Sequence, residues 1–597
     1  MRTLLVAAVA VFVVAFGVYI ATLAPTVGLT DSGELTVAAW SLGNAHPPGF
    51  PLYVLVTHLF TLLPIGNVAW RVNLGSAFFA ALAAGAMVFA AGALLRGSRV
   101  AVAVFAGLLL AFSRTLWNYA TVAEVYALNT FLLVSVFALV IQWFHTRRDR
   151  LLYIAAFVFG LGLCVHHVTV GLCIVGIAAI AWRAEKKTVL ICALLAIGAL
   201  AVYAYLPLAA SHNPPLNWGD PDSLARFVDH VTGKQYRGYL KSTSGQFDTI
   251  LTTLGRDLGP GWAPLALILA AWGLIALWRA EKPLFFFVVL IAAANFAWSS
   301  FYPIVNDRDA YLLPAILVLI LAAAHGAASL VPARYAWGLL IVPALGLIVA
   351  YPQRNRSGFV VPKLYAENAL RQMRPNALLL TGDWQLYAPL MYFQEVEHLR
   401  PDAIVVESGM LNRPWYVAQL ERRHPDFMRA VKPQLDAYRP VLEKWESDET
   451  LKPQMFALVA SLVQAMIETR LASGAPVYAS TELVAGKEKV YVPVLRAVGM
   501  KYPIVPHGLL VEWGGADPGP LNVDLHGIAD GTDAYEDDDP ALTEVLPAYR
   551  GALLMRGRYL ALRRRWDDAA AAYKLAQSLD PENSTIQREL AGVEAMR

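Results

Sequence analysis

Up to about residue 351 the chain is a succession of long apolar runs with almost no charged residue, broken by short polar connections. Backbone polar groups inside a bilayer must be satisfied within the segment, so such runs can only be helices of about 20 residues or shorter pieces buried among them. Runs of this kind lie at 4–24, 70–95, 100–112, 125–144, 151–165, 168–182, 189–206, 262–278, 283–301, 311–331 and 336–351, about eleven crossings. The first, behind Arg2, reads as a signal peptide or a first span, and the spans after it favour a retained helix. Only 16% of the residues are charged and 57% are hydrophobic, which excludes an ordinary soluble enzyme.

Basic residues test the count. Arg2, Arg96 and Arg99, Arg147, Arg148 and Arg150, Arg183, Lys186 and Lys187, Arg279 and Lys282, and Arg334 recur at alternate connections, which assigns that side and the N-terminus to the cytoplasm. The apolar stretch 50–64 would reverse every later assignment if it crossed, so it is expected to be an interfacial or re-entrant helix. With this parity Asp31, Glu34, His46, Arg71, Glu124, His166, His167, Asp307, Arg308 and Asp309 all fall at or near the outer face, although none of them was used to build the topology. A formal net charge of +3 without a like-charged block gives no reason to expect nucleic acid as a partner. Cys164, Cys173 and Cys192 all sit in apolar runs and predict neither disulfides nor a metal cluster.

From about residue 352 the chain is soluble in character. Short apolar runs at 377–380, 403–406, 477–479 and 509–511 read as buried strands, with helical stretches such as 450–471 between them, so a small α/β domain is expected. Gly382-Asp383 ends the first of these strands as a turn or, alternatively, as a ligand-site loop. In 550–597, Gly557, Ala569, Tyr573, Ala576 and Pro581 occupy the small, aromatic and proline positions of a tetratricopeptide repeat, one repeat and part of another. The expected divisions are a membrane catalytic domain at 1–351, an extracytoplasmic α/β domain at 352–545 and a repeat-like helical segment at 546–597.

Among the residues that carry chemistry, Asp31 and Glu34 follow the first span and are spaced to share a helical face at the water–membrane boundary. A carboxylate there serves as a general base, or else Asp31 caps a helix with Glu34 in its first turn. His46 lies in the rigid turn His46-Pro47-Pro48-Gly49-Phe50-Pro51 and either donates to an anion or satisfies the turn. Arg71 opens a span, where it snorkels to headgroups or binds a phosphate. Glu124 starts another span, His166-His167 interrupts an apolar stretch, and Asp307-Arg308-Asp309 is a salt-bridge cluster or a phosphate clamp. Collected on one face, they outline a polar cavity at the outer leaflet.

Asp31-Ser32-Gly33-Glu34, Ala45-His46-Pro47-Pro48-Gly49-Phe50-Pro51-Leu52-Tyr53 and Val68-Ala69-Trp70-Arg71-Val72-Asn73 resemble the transmembrane protein 260 family of O-mannosyltransferases and its bacterial relatives. The likeness continues through Ala123-Glu124-Val125-Tyr126, His166-His167, Asn217-Trp218-Gly219-Asp220, Asp307-Arg308-Asp309 and Arg413-Pro414-Trp415-Tyr416. It implies a polytopic α-helical membrane protein of the GT-C glycosyltransferase class, followed here by the α/β domain and the helical segment. It implies transfer of a sugar, mannose in that family, from a polyprenyl-phosphate donor to a hydroxyl of a secreted protein or glycan, with membrane lipid as a further partner. Asp31 would then be the catalytic base with Glu34 beside it, and His46, Arg71, Asn73, Glu124, Tyr126, His166, His167, Asp307, Arg308 and Asp309 would bind donor phosphate or substrate. No cofactor is required in that scheme, and a divalent metal is a secondary alternative. A bacterial inner membrane is the expected location. The rival readings are a lipid or polysaccharide acceptor, a lipid-linked-sugar flippase, and a non-catalytic scaffold.

Overall fold

The computed structural model describes residues 2–241, 263–302, 307–486, 488–525, 527–528 and 539–597. They form two compact units, Met1–Thr26 with Ala38–Gly358, and Val27–Val37 with Phe359–Arg597. The eleven residues Val27–Val37, inside the stretch read from sequence as the membrane zone, thus cluster with the soluble-type unit.

Among the described residues nine helices are long and apolar enough to cross a bilayer, or ten if the pair Val100–Ala111 and Arg114–Ala120, bent by 62°, is one span. Eight of the nine, from Arg2–Ala21 to Ala333–Arg354, lie in the first unit. The ninth, Glu449–Ala472, belongs to the second unit. Its buried residues Met455, Val459, Leu462, Val463, Met466 and Ile467 recur at helical spacing, which makes them one core-facing stripe. Pro51–Thr61 is a helix of 11 residues, roughly 16 Å at 1.5 Å per residue and about half the hydrocarbon thickness. That length agrees with an interfacial or re-entrant helix. The run expected at 262–278 begins outside the described residues and is seen as the helix Ala263–Ala280.

One helix, Asp149–Leu172, hides a reversal. His166 has φ −145° and ψ 88°, outside the helical region. A Cβ on Gly162 would lie 3.2 Å from Val170, and one on Gly171 would lie 4.0 Å from Leu163. On a straight helix residues eight apart are separated by about 12 Å, so the chain folds back at His166-His167, where the sequence breaks its apolar run. The segment before the reversal runs parallel to Lys186–Ser211: Thr188 Oγ1 donates to Asp149 Oδ2 (2.7 Å), and Tyr203 OH donates to the Leu163 carbonyl (2.9 Å).

Ala263–Ala280 and Leu313–Leu330 approach backbone to backbone. A Cβ on Gly273 would fall 1.8 Å from the Ala322 carbonyl oxygen, and one on Gly326 would fall 2.0 Å from that of Leu269. Between membrane helices, where there is no hydrophobic drive to associate, such close approach is what makes dispersion contacts strong.

The second unit is built on a five-stranded sheet in the order β2-β1-β3-β5-β4. Its strands are β1 (Leu378–Thr381), β2 (Ile404–Glu407), β3 (Val477–Ser480), β4 (Ile504–Pro506) and β5 (Leu510–Trp513). β1 pairs in parallel with β2 and β3, with Leu378 opposite Ile404 and Val477. β5 runs antiparallel to both β3 and β4. β1, β2, β3 and β5 are buried at every position, which is why they read as short, mostly apolar runs. Helices Leu546–Leu562, Trp566–Leu579 and Ser584–Glu594 end the chain, with Leu560, Ala569, Ala570, Tyr573, Leu590 and Val593 as their shared core. Gly557 lies against the Tyr573 ring, which a Cβ would meet at 2.4 Å.

Candidate functional site

In the second unit, the segment Val27–Val37 is held by the helix Trp384–Glu395, which follows the Gly382-Asp383 turn at the end of β1. Asp383 is 1% exposed and caps that helix, accepting from Gln385 N (3.0 Å) and from Tyr365 OH (2.6 Å). These contacts are those of a turn that caps the helix after it. The two residues after it reach the Asp31 segment. Trp384 Nε1 donates to Asp31 Oδ1 (3.0 Å), and Gln385 Oε1 accepts from Thr30 N (2.8 Å). Thr30 has φ 55°, a left-handed conformation uncommon for a threonine. Asp31 precedes the helix Ser32–Ser41 and its carbonyl accepts from Leu35 N (2.8 Å), so its backbone does occupy the helix-start position. Glu34, in the first turn, is fully buried. Gly33 lies on the Ala388 carbonyl, with an added Cβ only 2.2 Å from that oxygen, so no larger residue permits this approach.

In the first unit a continuous run of ring contacts joins residues that are far apart in sequence. His46 lies 4.8 Å from Phe50 and 6.0 Å from Trp218, centroid to centroid. Phe50 stacks on His166 at 6.3 Å, and His166 meets Tyr126 at 5.5 Å and Tyr311 at 5.2 Å. Tyr311 continues to Tyr302, and Tyr126 to Tyr119, whose hydroxyl donates to Asp309 Oδ1 (2.6 Å). Burial pushes the Asp309 carboxyl up, opposed by Arg114, by the Tyr119 hydroxyl, by the Ala310 N–H and by Arg354. The His166 ring is set by Thr169 Oγ1 at 3.0 Å from Nδ1, and Thr169 in turn accepts from Asn129 Nδ2 (2.9 Å).

The turn bearing His46 is strapped by the Asn217-Trp218-Gly219-Asp220 motif. Asn44 N donates to the Leu216 carbonyl, Trp218 N to the Asn44 carbonyl (both 3.0 Å), and Asn44 Nδ2 to Asn217 Oδ1 (2.8 Å). His230 fills the space under Gly49 and Gly219, which have φ 91° and 73°. Burial, and then the charge of His46, push the His230 imidazole down to about 3, so it is neutral at ordinary pH.

The structure therefore brings His46, Tyr126, His166 and Asp309 together, and places Asp31 and Glu34 in the segment assigned to the second unit. Glu124 is 4% exposed, its backbone N–H on Ser76 Oγ (3.4 Å), and Arg308 is 6% exposed, its carbonyl accepting from Ser299 Oγ (3.5 Å). Asp307 sits in the same turn as Arg308 and Asp309. Half-buried His167 makes none of the ring contacts above among the described residues. The Arg71 guanidinium donates to the carbonyls of Thr61, at the end of the helix Pro51–Thr61, of Leu63 (2.6 Å) and of Asn67 (3.3 Å), satisfying acceptors that the helix end leaves open. Asn73 likewise ties the end of the first span, donating to the carbonyls of Ala24 (3.0 Å) and Thr26 (2.9 Å). Phe50, Trp218, Tyr119, Tyr302, Tyr311 and Trp384 were missed as individual site residues. The only signal for the last was its place beside Gly382-Asp383.

Glu407, at the end of β2, is 6% exposed. Burial, and then the neighbouring Glu488, raise it to about 8 against the N–H groups of Met410 and Gly409. Both the folded and unfolded chain hold this proton in acid. As pH rises above about 4.3 the unfolded chain releases it first. Stability is therefore lost progressively until the pH passes about 8. Relative to Glu407→Gln, the wild-type protein is expected to lose melting temperature between pH 5 and pH 8. Melting curves that stay parallel over this range would contradict the assignment.

Two family segments match this chain: the Protein O-mannosyl-transferase TMEM260 N-terminal domain at residues 31–190 and the TMEM260-associated domain 2 at residues 363–436. Over 457 residues, 70% of this chain and 64% of the relative, it is 31% identical to the mouse (Mus musculus) protein O-mannosyl-transferase TMEM260. It is 25% identical to the Dictyostelium discoideum protein O-mannosyl-transferase tmem260 over 244 residues, 37% of this chain and 29% of that one. The matches thus span under two thirds of either curated relative. ArnT from Cupriavidus metallidurans in the apo state superposes with a TM-score of 0.51 at 14% identity, covering 85% of this chain and 97% of that one, a likeness of fold of the GT-C kind. With both segments in order along the chain and similarity over 70% of its length, this protein is similar to the protein O-mannosyl-transferases TMEM260, and its fold is like that of ArnT.

Proposed function

We propose that the chain is an inverting membrane glycosyltransferase that moves a sugar, mannose, from a polyprenyl-phosphate donor to a serine or threonine hydroxyl of a secreted protein. The observation that carries this reading is the similarity to the mouse protein O-mannosyl-transferase TMEM260, together with an N-terminal family segment that opens at Asp31. Asp31 takes the proton of the acceptor hydroxyl as its oxygen attacks the anomeric carbon, and the bond to the lipid phosphate breaks on the opposite side. The electron pair leaves with the phosphate. His46 and Arg308 stabilise the charge that develops there, and Glu34 and Glu124 orient the reacting groups. Tyr126, His166 and Asp309 line the donor side, while Arg71, Asn73 and His167 shape the surrounding chain. Eleven crossings put the N-terminus in the cytoplasm and the soluble unit outside the inner membrane, in keeping with the alternation of basic connections.

The test is turnover of a panel of labelled polyprenyl-phosphate sugars by the protein in lipid, with serine- and threonine-containing peptides present. The expected result is consumption of the mannosyl donor and a glycosylated peptide. Transfer only to a glycan or lipid would replace the acceptor, and movement of intact donor across the bilayer would replace the reaction by transport. Turnover is expected to persist in EDTA, because a departing monophosphate can be stabilised by fixed cationic donors. Loss of turnover in EDTA, restored by one divalent cation, would instead put that ion on the hard carboxylate oxygens of Asp31 and Glu34.

A further inference from the structure

We infer that Trp384 and Gln385, which belong to the same compact unit as Asp31, are positioning residues for its carboxylate. The inference rests on the reading of Asp31 as the base. Three contacts converge on the segment Val27–Val37 from one helix, Trp384–Glu395. The Trp384 indole N–H donates to Asp31 Oδ1 at 3.0 Å, which fixes one carboxylate oxygen. Gln385 holds the preceding residue, accepting from Thr30 N at 2.8 Å, and its own Nε2 donates to Glu544 Oε1 at 3.1 Å, so the amide is clamped at both ends. Gly33 removes the side chain that would keep the two backbones apart, its position leaving only 2.2 Å between a Cβ and the Ala388 oxygen.

The helix that carries these groups is itself rigidly started. Asp383 caps it and is held by the Tyr365 hydroxyl (2.6 Å), while Trp384 packs on Tyr387 at 5.8 Å between ring centroids. A carboxylate that must meet an acceptor hydroxyl within hydrogen-bond reach gains from such support, because displacement by about 1 Å can lower a rate about a hundredfold. A purely structural surface tie would not require an uncommon backbone conformation at Thr30, a buried amide beneath it and an indole on the carboxylate together.

The experiment compares the full-length wild type, Trp384→Phe, Trp384→His, Gln385→Leu and Asp31→Asn in lipid, reading kcat and KM for donor and for peptide acceptor beside melting temperature. Phenylalanine keeps the ring packing and removes only the N–H. Loss of a hydrogen bond to a charged group predicts a fall in kcat of roughly 10- to 100-fold, with both KM values within about twofold and the melting temperature retained. Trp384→His, which keeps a ring N–H, should recover part of that loss. Gln385→Leu should lower kcat in the same way and speed hydrogen exchange in 27–37, which keeps the inference testable should the tryptophan variants fold poorly. Full turnover in Trp384→Phe with Asp31→Asn inactive would overturn the positioning role and leave the proposed function standing. Full turnover in Asp31→Asn would overturn the reading beneath both. A rise confined to acceptor KM would make Trp384 an acceptor-binding residue and overturn positioning.

Discussion

Asp31→Asn is expected to reduce sugar transfer by roughly 100- to 10,000-fold, the range over which a positioned general base contributes. Asparagine has nearly the same shape and still offers an oxygen to the Trp384 indole, so the segment Val27–Val37 should keep its place and the melting temperature should change little. What is removed is the capacity to accept a proton. The loss should therefore appear in kcat, and in kcat/KM to the same degree, while the protein still binds the lipid donor. Release of polyprenyl phosphate measures the first, and donor binding to the variant measures the second. An Asp31→Asn protein that turns over at the wild-type rate would transfer the base role elsewhere.

The second large effect concerns stability. Gly273→Ala and Gly326→Ala are each expected to destabilise the membrane unit by about 1–3 kcal/mol, and leucine at either site by more. The added Cβ would meet a backbone carbonyl, at 1.8 Å from Ala322 and 2.0 Å from Leu269. A flexible side chain could swing aside, but a helical carbonyl cannot move without carrying its helix with it. The helices Ala263–Ala280 and Leu313–Leu330 must then separate, losing dispersion contacts along the whole interface. Thermal melting of the two variants in lipid checks this, and unchanged melting would mean that the two helices can slide apart without loss.

Parts of this architecture could be read from the chain because they rest on a single strong energy. A charge inside hydrocarbon is so unfavourable that the spans announce themselves, and the break at His166-His167 marks a reversal the structure contains. Four strands were visible because a sheet covered on both faces is mostly apolar along each strand. β4 was not, since Ile504–Pro506 is three residues long and ends in proline. The site was read in part for a different reason. Asp31, His46 and Asp309 stand out as polar groups beside apolar runs, whereas Phe50, Trp218, Tyr302 and Tyr311 look like ordinary aromatics at a membrane interface until the fold places their rings in contact. Arg71 shows the limit most clearly. Its position at a span end suits headgroups or a phosphate, and the carbonyls of Thr61, Leu63 and Asn67 that its guanidinium meets are not announced by that position. That 27–37 clusters with residues more than 300 positions later is tertiary information that no local pattern encodes.

The most direct test of the central claim is the fate of a donor labelled at its anomeric carbon, followed through one turnover on a peptide acceptor by wild-type protein in lipid. Direct displacement with Asp31 as base predicts the labelled carbon bonded to a serine or threonine oxygen, its configuration inverted, with one free polyprenyl phosphate for each sugar transferred. Retention of configuration, or a folded protein that leaves every donor intact, would contradict it.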